Sequence, residues 1–249
     1  MCAGRFGGMA DEHRSQNSLL AALPDNDWRA IRPDLKEVPL SYGEVLIRAD
    51  KPFSRIYFLL TGVISSVALF QDGRSAEMAT TGAEGMVDIG AVLGSDTSLS
   101  QYVVQVPGNA LVAHVDTFRQ WQAERPAFRR VLLDYAQAFL FQILQSVACN
   151  AVHPIQERAA RWLLTCDDRM GNHPLTLTQQ LMAEMLGVTR PTVNTVARTF
   201  QRAGLIRYHR GLITILDRDG LAAASCECYG TIRRAYEQRN IRLGPPRGP

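Results

Sequence analysis

Arg190, Thr192, Asn194, Thr195 and Arg198 recur at spacings that put them on the outward side of one predicted helix. Arginine and asparagine side chains reach base edges in a major groove, and threonine hydroxyls reach phosphate oxygens. The chemistry is recognition rather than catalysis. Thr189 is placed to cap this helix, and Pro191 suits its first turn, where an amide hydrogen needs no partner. Val193, Val196, Ala197 and Phe200 form its buried stripe. Upstream, Thr178 caps a shorter helix carrying Leu181, Met182 and Met185, and Gly187 ends it. The stretch Leu175 to Gln201 therefore predicts a helix-turn-helix, with double-stranded DNA as partner.

The residues that follow separate this reading from an ordinary pair of helices. Leu205 to Ile215 reads as strand, turn, strand, with Gly211 in the turn and Arg207 and Arg210 at its edge and tip. A basic ribbon directly after a helix-turn-helix predicts a winged helix, the wing lying over a phosphate strand. Arg190 is expected to read a guanine edge, and Thr189 and Thr192 to anchor phosphates. Charge agrees with this. Residues 154–249 hold 14 arginines against 8 acidic residues, whereas residues 1–153 hold 13 basic and 16 acidic ones. The positive excess sits on the half with the motif, where it would release counterions from DNA.

The 249 residues suggest two domains, and 46% hydrophobic residues suffice for folded cores. No apolar run approaches the ~20 residues of a membrane span, and the glycine-rich, polar N-terminus lacks a secretory h-region. Residues 1–17 read as a disordered lead. Five scattered cysteines (Cys2, Cys149, Cys166, Cys226, Cys228) fit free thiols in a reducing cytoplasm. Cys226-x-Cys228 lacks a second pair, so no metal is expected, and Cys149 reads as a small buried hydrophobe. Haem stays open through His114 and His153, although a lone histidine is more often structural. No phosphate-binding glycine loop, Gly-x-Ser-x-Gly or His-Glu-x-x-His is present, so no enzyme and no cofactor are expected.

Elements of a different rhythm precede the motif. After a helix around residues 18–31, short β-prone segments recur: around Val38, at Val45 to Ile47, Ile56 to Leu60, Val63 to Phe70, Ala76 to Thr81, Tyr102 to Val106 and Ala110 to Val115. Turn residues separate them, including Asp72-Gly73, which predicts a closed β sandwich or barrel. Pro126 then opens a long helix running to about Val152 with two apolar stripes. Leu132, Ala136, Phe139 and Ile143 make one stripe, taken as the seam of a homodimer. Leu133, Leu140, Leu144 and Val147 make the other. A single wide stripe buried within one domain is the competing reading. The expected organisation is lead 1–17, β domain 18–125, dimerisation helix 126–152, winged helix 153–240 and flexible tail 241–249.

A β-barrel, a long helix and a winged helix in this order resemble the Crp/Fnr superfamily of bacterial transcriptional regulators. The resemblance covers residues 18–235 and rests on Glu157-Arg158, Gly204-Leu205-Ile206, Gly43-Glu44, Tyr57-Phe58-Leu59 before Thr61-Gly62, and Asp72-Gly73. It implies an α+β fold with an N-terminal β-roll resembling a cyclic-nucleotide-binding domain. It also implies a homodimer on a palindromic operator, RNA polymerase as a partner, and a small-molecule effector in the barrel. Members that read TGTGA half-sites carry a Glu where Pro191 stands and an Arg where Thr195 stands.

Nucleotide-binding members hold the cyclic phosphate with a Gly-Glu pair and a later arginine. The matching region here is Gly85 to Tyr102, with Asp88 as the nearest acidic counterpart and no arginine or lysine between Arg74 and Arg119. An unpaired buried phosphate would cost several kcal/mol. The purine-contacting positions become Ile143 and Leu144, which cannot hydrogen-bond a base. The resemblance thus points to an effector other than cyclic AMP, in a mainly apolar site lined by Gly85, Asp88, Gln101, Tyr102, Ile143 and Leu144. Two alternatives remain: a barrel filled by its own side chains, and a dimeric scaffold whose winged helix serves protein contacts.

Overall fold

In the computed structural model, which describes residues 13–71, 73, 75–171 and 174–244, the β-prone segments pair into a roll. After helical residues 13–16 come two short helices, α1 (Ser18–Ala21) and α2 (Asp25–Ile31). Strands β1 (Lys36–Leu40), β2 (Val45–Ile47), β3 (Lys51–Pro52), β4 (Arg55–Leu59), β5 (Val63–Leu69) and β6 (Ser75–Thr81) follow. A helical turn α3 (Ile89–Val92) leads to β7 (Thr97–Ser98), β8 (Gln101–Val106) and β9 (Gly108–His114). The main sheets are antiparallel, in the orders β1-β9-β4 and β2-β8-β5-β6, with β3 paired to β7. Ile56, Phe58, Ile64, Val104 and Leu111 are among the fully buried side chains between them.

Helices α4 (Val115–Glu124) and α5 (Pro126–Val152) close the roll. Phe118, Trp121 and Phe128 meet edge-on there, with ring centroids 5.7–5.8 Å apart, the favoured geometry for aromatic pairs. The C-terminal module comprises α6 (Ile155–Met170), β10 (Leu175–Thr176), α7 (Gln179–Leu186), α8 (Arg190–Arg202), β11 (Ile206–His209) and β12 (Leu212–Ile215). Helices α9 (Arg218–Ala223) and α10 (Cys228–Glu237) complete the chain. The fold is thus α+β: β-roll, long helix, winged helix-turn-helix.

Several expectations are corrected. The helix around residues 18–31 is two, because Pro24 interrupts it and becomes the N-cap of α2. Residues 13–17 are not a disordered lead. Asn17 is fully buried, donates to the carbonyls of Leu59 and Gly85 at 2.8 Å each, and caps α1. At the other end, Ile241 is buried and Leu243 packs on the same core, so residues 241–244 are not a loose tail. Ile232 and Tyr236 of α10 also belong to the β-roll core rather than to the winged helix. The chain therefore returns to its first domain after completing its last. Cys2, Asp72 and Arg74 lie outside the described residues.

The long helix forms as expected, but its two stripes are exchanged. Leu132, Ala136 and Phe139 are buried in the protomer's own core and Ile143 packs against it, so that stripe has no surface to offer a partner. Leu133, Leu140, Leu144 and Val147 are exposed instead, together with Phe141 and Val152. Leu144 consequently points to solvent and does not line the barrel. By length and composition this helix is apolar enough to cross a membrane, contrary to the sequence expectation. Its inner face nevertheless hydrogen-bonds the roll: Gln142 Nε2 donates to the Thr80 carbonyl at 3.0 Å, and the Tyr135 hydroxyl to the Met86 carbonyl at 3.1 Å.

Candidate nucleic-acid interface and sensor core

Local chemistry fixes the recognition element. Thr178 accepts the Leu181 amide at 3.1 Å and so caps α7. Gly187 ends that helix with φ 65°, a left-handed conformation that glycine adopts without a Cβ clash. Thr189 occupies the N-cap position of α8, with Pro191 in the first turn, but contrary to expectation its side chain makes no cap hydrogen bond, because its hydroxyl is turned to that of Thr192. Val193, Val196, Ala197 and Phe200 are buried against α6 and α7, which turns Arg190, Thr195 and Arg198 outward and leaves Thr192 and Asn194 half-exposed.

The polar face is already partly ordered. Gln179 of α7 bridges Arg190 and Asn194 at 3.5 and 3.4 Å, and the Thr189 and Thr192 hydroxyls lie 2.9 Å apart. The Thr195 hydroxyl donates back to the Pro191 carbonyl at 3.1 Å. Sequence reading missed Gln179. Its position in the first turn behind a Thr cap was the available signal, since the start of one helix faces the start of the next.

The wing is a tight hairpin in which Arg210 and Gly211 both have positive φ, 50° and 81°, as a two-residue type I′ turn requires. It holds Arg207 and Arg210 exposed. A third strand, β10, which the sequence reading did not anticipate, pairs with β12 and fastens the wing to the start of α7. Tyr208 reinforces this by donating to the Leu177 carbonyl at 3.0 Å.

Among the described residues, several positions expected to line an effector site are engaged by the protein's own groups. A Cβ at Gly85 would collide with the ring and hydroxyl of Tyr135, so α5 fills the position beside that glycine. Asp88 sits at φ 67°, caps α3 by accepting the Gly90 amide at 2.8 Å, and has its carboxyl pushed above the ordinary range by burial. Tyr102 is buried beside it, Gln101 is half-buried, and Ile143 packs on the core.

A cation does reach the core, from a place the local sequence window could not reveal. Arg169, in the last turn of α6, enters the roll with its side chain 1% exposed and meets Glu84, whose side chain is 0% exposed. Its Nε donates to Glu84 Oε1 at 2.7 Å, Nη1 to the Thr80 hydroxyl at 2.8 Å, and Nη2 to Gln142 Oε1 at 3.1 Å. Tyr236 donates to the same Gln142 oxygen at 3.1 Å. Burial opposes the guanidinium's charge, but Glu84 outweighs it and holds the pKa above its usual value. Nearby, Trp162 of α6 donates to Glu77 of β6 at 2.8 Å, and burial raises the Glu77 carboxyl. The winged helix is thus docked on the roll through buried polar contacts.

The cysteines are also rearranged relative to expectation. Cys226 and Cys228 do have companions: Cys149 and His153, at the C-terminal end of α5, lie against them. Burial pushes the Cys226 thiol up to about 12. At Cys149 burial acts in the same direction, yet Arg161 and the surrounding thiols and imidazole leave that thiol below its ordinary value. His114 instead accepts the Asp116 amide at 3.3 Å as the N-cap of α4.

An exposed polar recognition helix beside a basic wing, docked on a β-roll, has the form of a DNA-binding regulator. The C-terminal part matches the Crp-like helix-turn-helix domain over residues 157–224, and the N-terminal part the cyclic nucleotide-binding domain over residues 37–125. A CRP-like cAMP-activated global transcriptional regulator of Mycobacterium tuberculosis is 24% identical over 221 residues, covering 85% of this chain and 98% of that protein. The HTH-type transcriptional regulator Cmr of the same organism is 27% identical over 232 residues, covering 89% of this chain and 84% of Cmr. FixK2 from Bradyrhizobium japonicum shares the fold, with a TM-score of 0.67 at 16% identity over 77% of this chain and 98% of FixK2. The chain belongs to the Crp/Fnr superfamily of transcriptional regulators.

Proposed function

We propose that this regulator binds a palindromic operator as a homodimer, from the cytoplasm, and acts on RNA polymerase at promoters. The observation that carries the reading is the outward set Arg190, Thr192, Asn194, Thr195 and Arg198 beside Arg207 and Arg210 on the wing. Arg190 reads a guanine, while Thr189, Thr192 and Arg210 hold phosphates. Thr178, exposed at the start of α7 beside the recognition helix, adds a hydroxyl within reach of a phosphate. The exposed Leu133, Leu140, Leu144 and Val147 stripe supports the dimer, because two copies would bury it along parallel helices.

The regulator responds to something other than cyclic AMP. One Mycobacterium relative is named for cAMP activation, but here Tyr135 fills the space beside Gly85, and Arg169 is engaged by Glu84, Thr80 and Gln142. Both features also favour a barrel closed by its own side chains. Sequencing the DNA that co-purifies with the chain from cells tests the regulatory reading. Enrichment of promoter-proximal inverted repeats, lost in Arg190→Ala, is expected; recovery of DNA without sequence preference contradicts it.

A further inference from the structure

We propose that Cys149, His153, Cys226 and Cys228 form a binding site for one tetrahedral metal ion of the zinc class. The three sulfurs and an imidazole nitrogen lie within 4.8 Å of one another. Cys149 Sγ is 3.5 Å from Cys226 Sγ, and Cys228 Sγ is 3.6 Å from His153 Nδ1. Zinc–sulfur bonds of ~2.3 Å and zinc–nitrogen bonds of ~2.0 Å at tetrahedral angles place donor atoms about 3.5–3.8 Å apart. The side chains are therefore close to coordinating positions already. An iron–sulfur cluster would need its ligands spread over two or four irons, and so farther apart than a set lying within 4.8 Å of one another. Thiolate-rich sites also discriminate against magnesium and calcium, which prefer oxygen.

The surroundings match what a metal-bound imidazole and thiolate need. His153 turns Nδ1 to the thiols, and its Nε2 lies 3.3 Å from Glu227 Oε2, a carboxylate that fixes tautomer and ring orientation. Gln145 Nε2 donates to Cys228 Sγ at 3.1 Å, softening the accumulated negative charge. All three cysteines are buried. Two ligands come from the end of α5 and two from the segment entering α10, so an ion there would staple the long helix to the helix that returns from the winged domain. Binding releases the thiol protons to solvent, and acid therefore weakens it.

The test is elemental analysis of untagged protein purified under reducing, anaerobic conditions, followed by chelation and reloading with zinc or cobalt alone. About one zinc per chain is expected, with thiolate-to-metal charge transfer and tetrahedral ligand-field bands in the cobalt form. Glu227→Gln keeps every ligand, and its exposed position leaves the fold intact; zinc affinity should fall about 10–100-fold. Cys226→Ser and Cys228→Ser should lose the cobalt bands. The proposal is overturned by folded wild-type protein that takes up no zinc or cobalt on reloading, or by bands that survive both serine variants. Iron with acid-labile sulfide, or a Cys149–Cys226 disulfide in the anaerobic protein, would also overturn it. These readouts do not depend on DNA binding.

Discussion

At the scale of single residues, the proposed DNA contacts divide between two classes of arginine. Arg190 stands at the start of α8, whose first turn enters a groove in winged helices, whereas Arg210 sits at the tip of the hairpin. Replacing Arg190 by Ala should relax specificity at one base pair per half-site, a loss of ~1–3 kcal/mol of discrimination. Arg210→Ala should weaken all sequences alike and lower the salt slope by about one. Competition binding against single-base operator variants at several salt concentrations distinguishes the two. The exposure of Arg190 was legible in the sequence because the buried stripe of α8 forces the remaining positions outward, and that of Arg210 because it stands in a hairpin turn. Arg169 and the Cys149–His153–Cys226–Cys228 cluster were not. Arg169 meets Glu84 from 85 positions away and Cys149 lies 77 from Cys226, and no local spacing rule encodes such encounters.

At the scale of elements, the long helix shows what periodicity reveals and what it leaves open. It fixes two apolar stripes on α5 but does not say which one meets the roll, since both are apolar and similarly spaced. The difference lies in companions: the inner face also carries Tyr135 and Gln142, whose polar atoms find Met86 and Thr80 carbonyls on the roll. Leu133, Leu140, Leu144 and Val147, interrupted by Gln137, follow the spacing of a two-stranded seam. Leu140→Glu should therefore dissociate the proposed homodimer at micromolar concentration while leaving the thermal midpoint of the protomer nearly unchanged. Leu132→Ala should instead destabilise the fold by ~2–5 kcal/mol, because it opens a cavity in the core. Sedimentation and thermal denaturation of the two variants separate these outcomes, and the reverse pattern would restore the seam first expected.

At the scale of the whole molecule, the β-roll and the winged helix are joined by buried groups that do not tolerate being parted. Pulling Arg169 from Glu84 would leave a buried carboxylate unpaired, a cost of ~3–5 kcal/mol when one partner is removed. Any signal that repositions the recognition helices has to overcome or replace that contact. With Tyr135 beside Gly85 and Arg169 already occupied, cyclic AMP and cyclic GMP should produce no thermal shift. A binder at ~100 times its Kd would add ~2.7 kcal/mol, so a clear shift with either would contradict this account of the roll. A closed β domain followed by a winged helix was readable from turn residues and strand-length segments, whereas the strand order was not. The return of α10 and residues 241–244 to the first domain was not, because an amphipathic terminal helix does not specify which core it covers.

The central claim, that this chain is a sequence-specific DNA-binding regulator with its own half-site, is tested most directly by selection from random double-stranded DNA with the purified protein. Pro191 and Thr195 stand where TGTGA readers carry Glu and Arg, so the selected sites should be inverted repeats of a different half-site. Strong enrichment of TGTGA/TCACA palindromes would contradict the reading of α8, and absence of any enriched sequence at physiological salt would contradict the function itself.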